Sequence, residues 1–220
     1  MSAKQPDETS KSADQIEALN LVPVSRETKE RLEVYVDNLI RWQKIKNLVG
    51  PKTLAEVWTR HIADSAQLAP FISSEAKCLV DLGSGAGFPG LVLACLHAER
   101  ANFETHLIES NGRKAAFLRE VARTLKLNVH VHDKRIEEAL QAIAPQIDVL
   151  TARALAPLSD LFKMYGFLPR PPRKALFLKG QDIDSELTEA AKYWSINSEI
   201  VPSRTNPEGR ILVVNAIRPK

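Results

Sequence analysis

With 220 residues, 44% of them hydrophobic, the chain can bury one good core with a small appendage at most. A formal charge of +3 permits an anionic partner without demanding one, and two cysteines exclude a disulfide framework and fit a reducing cytosol. No apolar run reaches membrane-spanning length and the N-terminus lacks the apolar centre of a signal peptide, so a soluble, cytoplasmic chain with no membrane partner is expected.

Residues 1–22 mix Ser, Lys, Asp, Glu and Gln with few apolar side chains and read as a disordered tail. Over residues 25–48, Leu32, Tyr35, Val36, Leu39, Trp42, Ile45 and Leu48 recur at spacings of three and four, which predicts a long amphipathic helix with its aromatics in the core. Thr53 and Glu56 form a capping-box pattern that opens a second helix running to about residue 71. On it Arg60, His61, Asp64 and Ser65 cluster; periodicity alone favours a solvated face with internal ion pairs. Residues 23–75 therefore form a helical segment packed on a domain spanning 76–220.

That domain opens with Cys78, Leu79, Val80 and Leu82, a short apolar run typical of a buried parallel strand, with Asp81 at its end. Gly83, Gly85 and Gly87 follow at every second position, turning the chain tightly and leaving backbone N–H groups uncovered. Pro89 suits a first helical turn, and Leu91, Val92, Leu93 and Leu96 pack that helix onto the sheet. Strand, glycine turn and helix make a nucleotide cradle.

Gly85, Gly87 and Gly90 also spell the dinucleotide fingerprint, a weak signal alone. An anion at Asp81 opposes a pyrophosphate on the helix N-terminus and suits a cationic ligand. A second acid, Glu109, ends the next strand, where the ribose of an adenosine needs an acceptor. Together Asp81 and Glu109 favour S-adenosylmethionine over NAD.

Strands and helices then alternate: strand 103–109, helix 113–126 with a cationic outer face, strand 128–132, helix 136–143 and strand 147–150 followed by Arg153. The pair His130 and His132 has no third ligand at suitable spacing, so no metal site is expected. A helix at 156–165, a stiff basic loop at 169–174, a strand at 175–178 ending in Lys179, and a helix at 183–194 lead to strands 196–201 and 210–217. Seven strands closing in an antiparallel pair predict an α/β, doubly wound, mostly parallel, class I S-adenosylmethionine-dependent methyltransferase (Rossmann-like) fold with an N-terminal helical extension.

From residue 24 onward the chain resembles the bacterial small-subunit ribosomal RNA guanine-N7 methyltransferases, the RsmG family, also called glucose-inhibited division protein B. The resemblance rests on Asn47-Leu48, Arg60-His61-Ile62 with Asp64-Ser65, the run from Asp81 to Gly90, Glu109-Ser110, Lys114 with Phe117-Leu118-Arg119, residues 135–138, Arg153-Ala154, residues 178–181, and Gly209-Arg210. The chain departs from the family pattern in its tail, at Val49 and at Lys134, away from the cradle. The resemblance implies methylation of a guanine at N7 in 16S ribosomal RNA, free or within the 30S subunit, by a monomer using S-adenosyl-L-methionine. It further implies cofactor contacts at Asp81, Gly83, Gly85, Phe88, Glu109, Ile136, Glu137 and Arg153. Arg60, His61, Lys179 and Arg210 are then RNA or active-site contacts.

Guanine N7 carries an in-plane lone pair and no proton, so no catalytic base is expected and the rate must come from alignment in a preorganised pocket. Two other readings share the fold: methylation of a small molecule or protein, and an RNA-binding or ribosome-assembly module without turnover.

Overall fold

Five consecutive buried residues form β1 (Cys78–Leu82). Their side chains alternate between the two faces of the sheet, and both faces must be covered for such a strand to be stable. In the computed structural model, which describes residues 8–45, 47–50, 53–143, 147–168 and 170–220, this strand has a neighbour on each side. The other strands are β2 (Glu104–Ile108), β3 (Val129–His132), β4 (Val149–Arg153), β5 (Lys174–Lys179), β6 (Trp194–Pro202) and β7 (Arg210–Pro219), in the spatial order β3-β2-β1-β4-β5-β7-β6. The first five are parallel, and β7 runs antiparallel to both β5 and β6. Reversal of strand order at β1 and β4 places a topological switch at their carboxyl ends.

Helices cover both faces. On one, α4 (Gly90–Leu96) and α5 (Gly112–Thr124) pack with α2 (Arg26–Gln43), sharing a core that holds Leu32, Tyr35, Leu39, Leu91 and Phe117. Asn111 caps α5 by accepting from Arg113 N and Lys114 N at 3.1 and 3.2 Å, leaving the apolar stripe through Phe117, Leu118 and Val121 facing the sheet. On the other face, α6 (Ile136–Ala142), α7 (Leu158–Lys163) and α8 (Ile183–Ala190) close over Val80, Leu82, Leu150 and Phe177. Among the described residues, no helix is long and apolar enough to cross a membrane.

The expected tail is in part a helix. Residues Glu8–Leu21 form α1, and residues 1–7 of that expectation lie outside the described residues. Few apolar side chains are needed to seat it, because Ala18 and Val22 enter the core while Asp14 works through hydrogen bonds. Its carboxylate accepts from Trp58 N at 2.8 Å and Thr59 N at 3.0 Å. Those N–H groups open a helix that has no side-chain cap of its own.

The second N-terminal helix is also less regular than its periodicity predicts. Trp58–Ala63 is a π-helical turn, followed by α3 (Asp64–Ala66) and a 3₁₀ turn at Ala69–Phe71. The wider turn rotates His61, Asp64 and Ser65 inward, leaving only the exposed Arg60–Glu56 pair at 3.3 Å as the expected solvated ion pair. At the other end of the chain α8 stops early because Trp194 already begins β6.

Replacement of Asp14 by Ala strands two backbone donors at the start of the π turn. The Asp14→Ala protein should lose about 1–2 kcal/mol of unfolding free energy in a urea titration, with the slope unchanged.

Candidate active site

The turn after β1 is built on one buried carboxylate. Asp81 is fully buried, its Oδ1 accepting from Thr151 Oγ1 at 2.7 Å and its Oδ2 from Gly90 N at 3.3 Å. Thr151 lies on β4 and Gly90 begins α4, so the side chain ties two strands to the first turn of a helix. Alternation along β1 sends Val80 and Leu82 to the opposite face and Asp81 beneath α4, so the carboxylate supports the turn from below. Only a glycine fits at position 90: a Cβ there would lie 2.3 Å from Leu107 Cδ2 and 2.8 Å from Asp81 Oδ2.

Gly83, Gly85 and Gly87 all have positive φ. At Gly85 an added Cβ would meet nothing nearer than Gly83 O at 3.8 Å, so the backbone there borders open space. Beside it lies Glu109, whose Oε2 accepts from Gly85 N at 2.8 Å and whose Oε1 accepts from Asn111 N at 2.7 Å. The acid expected to meet a ribose thus sits against the bare turn and fixes its shape. Lone pairs remain on both oxygens for further donors. A cradle that is open, phosphate-averse and rimmed by a carboxylate fits an adenosine sulfonium better than a pyrophosphate.

Phe88 is buried between Tyr35, with ring centroids 5.4 Å apart, and His61, stacked at 4.8 Å. The Tyr35 hydroxyl donates to Ala86 O, so α2 also grips the turn. The Arg153 guanidinium lies 5.0 Å above the Phe88 ring, and its Nη1 reaches Arg60 O at 3.2 Å and Asp64 Oδ2 at 3.4 Å. Asp64 Oδ1 accepts from Thr205 Oγ1 at 2.8 Å, and Gln67 accepts from Arg204 N at 2.8 Å. By these contacts the N-terminal helices, the end of β4 and the β6–β7 connection become one wall. Ala154, next to Arg153, has φ of 50°, a conformation that L residues adopt only when their surroundings hold them there.

Two cavities open along this wall. One of about 690 Å³ is lined by Arg60, His61, Asp64, Arg153 and Asn206; another of about 360 Å³ by Arg153, Lys179, Asn206 and Arg210. The expected contacts Arg60, His61, Lys179 and Arg210 thus meet around Arg153. Lys179 is not free: its Nζ donates to Glu186 Oε2 at 2.6 Å and Ala156 O at 2.9 Å. Arg210 braces its own loop through Pro207 O and Gly209 O. Ile136, half-buried, and Glu137, exposed, stand at the start of α6 and line neither cavity.

His61 is neutral. Burial, followed by the Arg153 and Arg60 cations, pushes its pKa down to about 3. Its Nε2 lies 3.0 Å from Thr53 Oγ1, while among the described residues the buried Nδ1 has no hydrogen-bond partner. Thr151, Tyr35 and Asp64 were absent from the expected site. The first two act through a strand pairing and a long-range packing contact that no local motif records, whereas Asp64 stood within a motif already visible.

Strand order, the glycine turn and its flanking carboxylates define a class I S-adenosylmethionine-dependent methyltransferase. The fold matches the O-methyltransferase from Bacillus cereus in complex with SAH over 95% of this chain and 99% of that one, with a TM-score of 0.58 at 16% identity. An rRNA methylase from Streptococcus thermophilus matches over 72% and 98%, with a TM-score of 0.50 at 12% identity. The chain belongs to the GidB family, rRNA small subunit methyltransferase G, whose model matches residues 28–210. It is 49% identical to ribosomal RNA small subunit methyltransferase G of Bradyrhizobium sp. (strain BTAi1) over 94% of this chain and 92% of that one. It is 47% identical to the protein of that name from Rhodopseudomonas palustris (strain BisB18), over 100% and 93%.

Burial raises the Asp81 carboxyl from 3.8 to about 6. A carboxyl that binds its proton more tightly folded than unfolded adds stability below pH 4, and that increment is lost as pH rises through 6. Relative to Asp81→Asn, the wild-type protein should gain up to about 3 kcal/mol of unfolding free energy between pH 7 and pH 4, measured by urea titration at each pH.

Proposed function

We propose that this chain transfers a methyl group to N7 of one guanine in 16S ribosomal RNA, acting as a cytoplasmic monomer on the small-subunit RNA, free or in the 30S particle. The observation that carries this reading is the meeting of Arg60, Arg153, Lys179 and Arg210 along a wall they share with the acids Glu56, Asp64, Glu186 and Glu208. Arg60, Arg153, Lys179 and Arg210 line two cavities at the carboxyl ends of β4 and β5, and Arg153 links them to the glycine cradle through its contact with the Phe88 ring.

Gly83, Gly85, Phe88 and Glu109 hold the cofactor from the turn, Ile136 and Glu137 from the start of α6, and Arg153 from the end of β4, with Asp81 bracing the cradle beneath. When bound, S-adenosylmethionine supplies an electrophilic methyl on a sulfonium. Glu109 orients the ribose hydroxyls as an acceptor, and its charge complements the cation. The guanine needs no deprotonation, and His61, neutral and stacked on Phe88, is not required to take a proton. Arg153 lies between the cradle and the cavities, where a cation identifies guanine through O6 while leaving N7 free. Arg60 and Arg210, at the rims, meet phosphates.

Purified protein incubated with methyl-labelled S-adenosylmethionine should label 16S RNA, supplied free or as 30S subunits. Reductive cleavage at N7-methylguanine should then break the RNA at a single position. Gly83→Arg should abolish the label, since φ is positive there and any Cβ would lie 2.6 Å from Leu155 Cδ1. Label that resists ribonuclease, or is absent from both RNA forms, refutes the reading.

If Arg60 and Arg210 track phosphates, Arg60→Ala and Arg210→Ala should each weaken RNA binding. Each should also lower the slope of log affinity against log salt by about 1 in a filter-binding series.

A further inference from the structure

We infer that the chain carries a second site, at the amino-terminal edge of the sheet, for a borderline-soft divalent cation such as zinc, with Cys78, Glu104 and His106 as ligands. Cys78 begins β1 and Glu104 begins β2, and the two are register partners. Period-two alternation places His106 on the same face as Glu104, and the thiol sulfur, a carboxylate oxygen and a ring nitrogen all lie within 4.8 Å of one another.

The second observation concerns His106 itself. It is 9% exposed, and among the described residues its buried Nε2 has no hydrogen-bond partner. Glu104 Oε1 lies 3.4 Å from that nitrogen, within ion-pair distance. For nitrogen and oxygen ligands at about 2.0–2.2 Å, the edge of a tetrahedron around zinc is about 3.3–3.5 Å, which is the separation found. On its other side His106 Nδ1 is 2.9 Å from His132 Nε2. With Nδ1–H as the donor to His132, the Nε2 lone pair is directed at the carboxylate and thiol, as in a metal-bound imidazole whose other nitrogen is held by a hydrogen bond.

The surroundings favour a cation. Cys78 is free, 4% exposed, and pinned by its backbone N–H to Asp148 Oδ2 at 3.1 Å. The carboxylates of Glu104 and Asp148 beside it give a negative field that attracts a dication. Binding breaks the S–H bond and releases that proton to solvent, so thiolate and carboxylate neutralise the metal charge. A water or His130, whose Nε2 is 3.8 Å from Glu104 Oε2, completes four ligands. Reaction edge and metal lie at opposite ends of the strands, so the ion joins β1 to β2 and takes no part in methyl transfer.

The full-length protein, stripped with chelator and titrated anaerobically with Co²⁺, should bind one equivalent. It should show thiolate-to-cobalt charge-transfer absorption and intense tetrahedral visible bands, both lost on adding Zn²⁺. Cys95→Ser should keep the charge-transfer band, whereas Cys78→Ser should lose it, and Cys78→Ser and His106→Gln should each weaken Zn²⁺ binding at least about tenfold. His132→Gln should keep the band and weaken Zn²⁺ binding about 10–100-fold. No thiolate band in the wild-type protein overturns the inference, whatever the variants do. Zn²⁺ affinity unchanged in both Cys78→Ser and His106→Gln, as surface capture by His130 and His132 would give, also overturns it.

Discussion

The Asp81 carboxylate is the point on which the reaction edge depends. It lies in a region of low dielectric where the hydroxyls of Thr151 and Ser84 and the Gly90 N–H are its partners, and burial disfavours its charge. Such a group is tolerated where its bonds define a geometry that apolar packing leaves loose. Thr151 on β4, Asp81 on β1 and Gly90 on α4 are brought to one point, which sets where α4 begins and hence the curvature of the glycine turn. The turn is then fastened from three further directions. Glu109 takes Gly85 N from β2, the Tyr35 hydroxyl takes Ala86 O from α2, and Ser84 N donates to Ile108 O at 2.9 Å. Within the bend itself the Ser84 hydroxyl donates to Asp81 O at 3.1 Å and Gly87 N to Ser84 O at 2.7 Å, and further stiffness is imported from the sheet and from the N-terminal helix.

That import explains why the N-terminal helices are part of the catalytic fold. Tyr35, Phe88 and His61 form a stacked column reaching from α2 through the turn to the π-helical segment, and Arg153 lies on the middle ring. The π turn is held at its start by the Asp14 carboxylate from α1. Four separate chain segments thus contribute to the position of one guanidinium, and displacement of any of them is felt at Arg153.

Much of this architecture was legible in the residues. Alternating apolar runs and glycine punctuation located β1, the turn, α4 and the antiparallel closing pair, because these follow from local periodicity and backbone sterics. What failed to show was whatever depended on distant partners. A polar segment such as Glu8–Leu21 is seated as a helix by Ala18 in the core and by one carboxylate that finds two stranded donors more than forty positions away, and composition cannot encode that. Asp81 was visible as an acid at a strand end, but its direction depends on which face of β1 carries α4, a tertiary fact. Likewise His106 was hidden within a strand while His130 and His132 drew attention by their spacing. Register between β1 and β2, absent from any linear reading, is what sets Cys78 opposite Glu104.

On the proposed reading, charge around Arg153 is partitioned in a way that suits a nucleophile without a proton. His61 lies within the field of two arginines and in a buried stack, and both effects hold it neutral, so the site contains an imidazole that is a poor proton acceptor. A methyltransferase that had to deprotonate its acceptor would need the reverse: a carboxylate beside that imidazole to raise its basicity. Asp64, the nearest acid on the same helical segment, is instead committed to Arg153, Thr205 and Gln67. Its charge therefore steadies the guanidinium rather than the ring. Positive charge kept on Arg153, and basicity removed from His61, is the arrangement expected where the acceptor arrives with its lone pair ready.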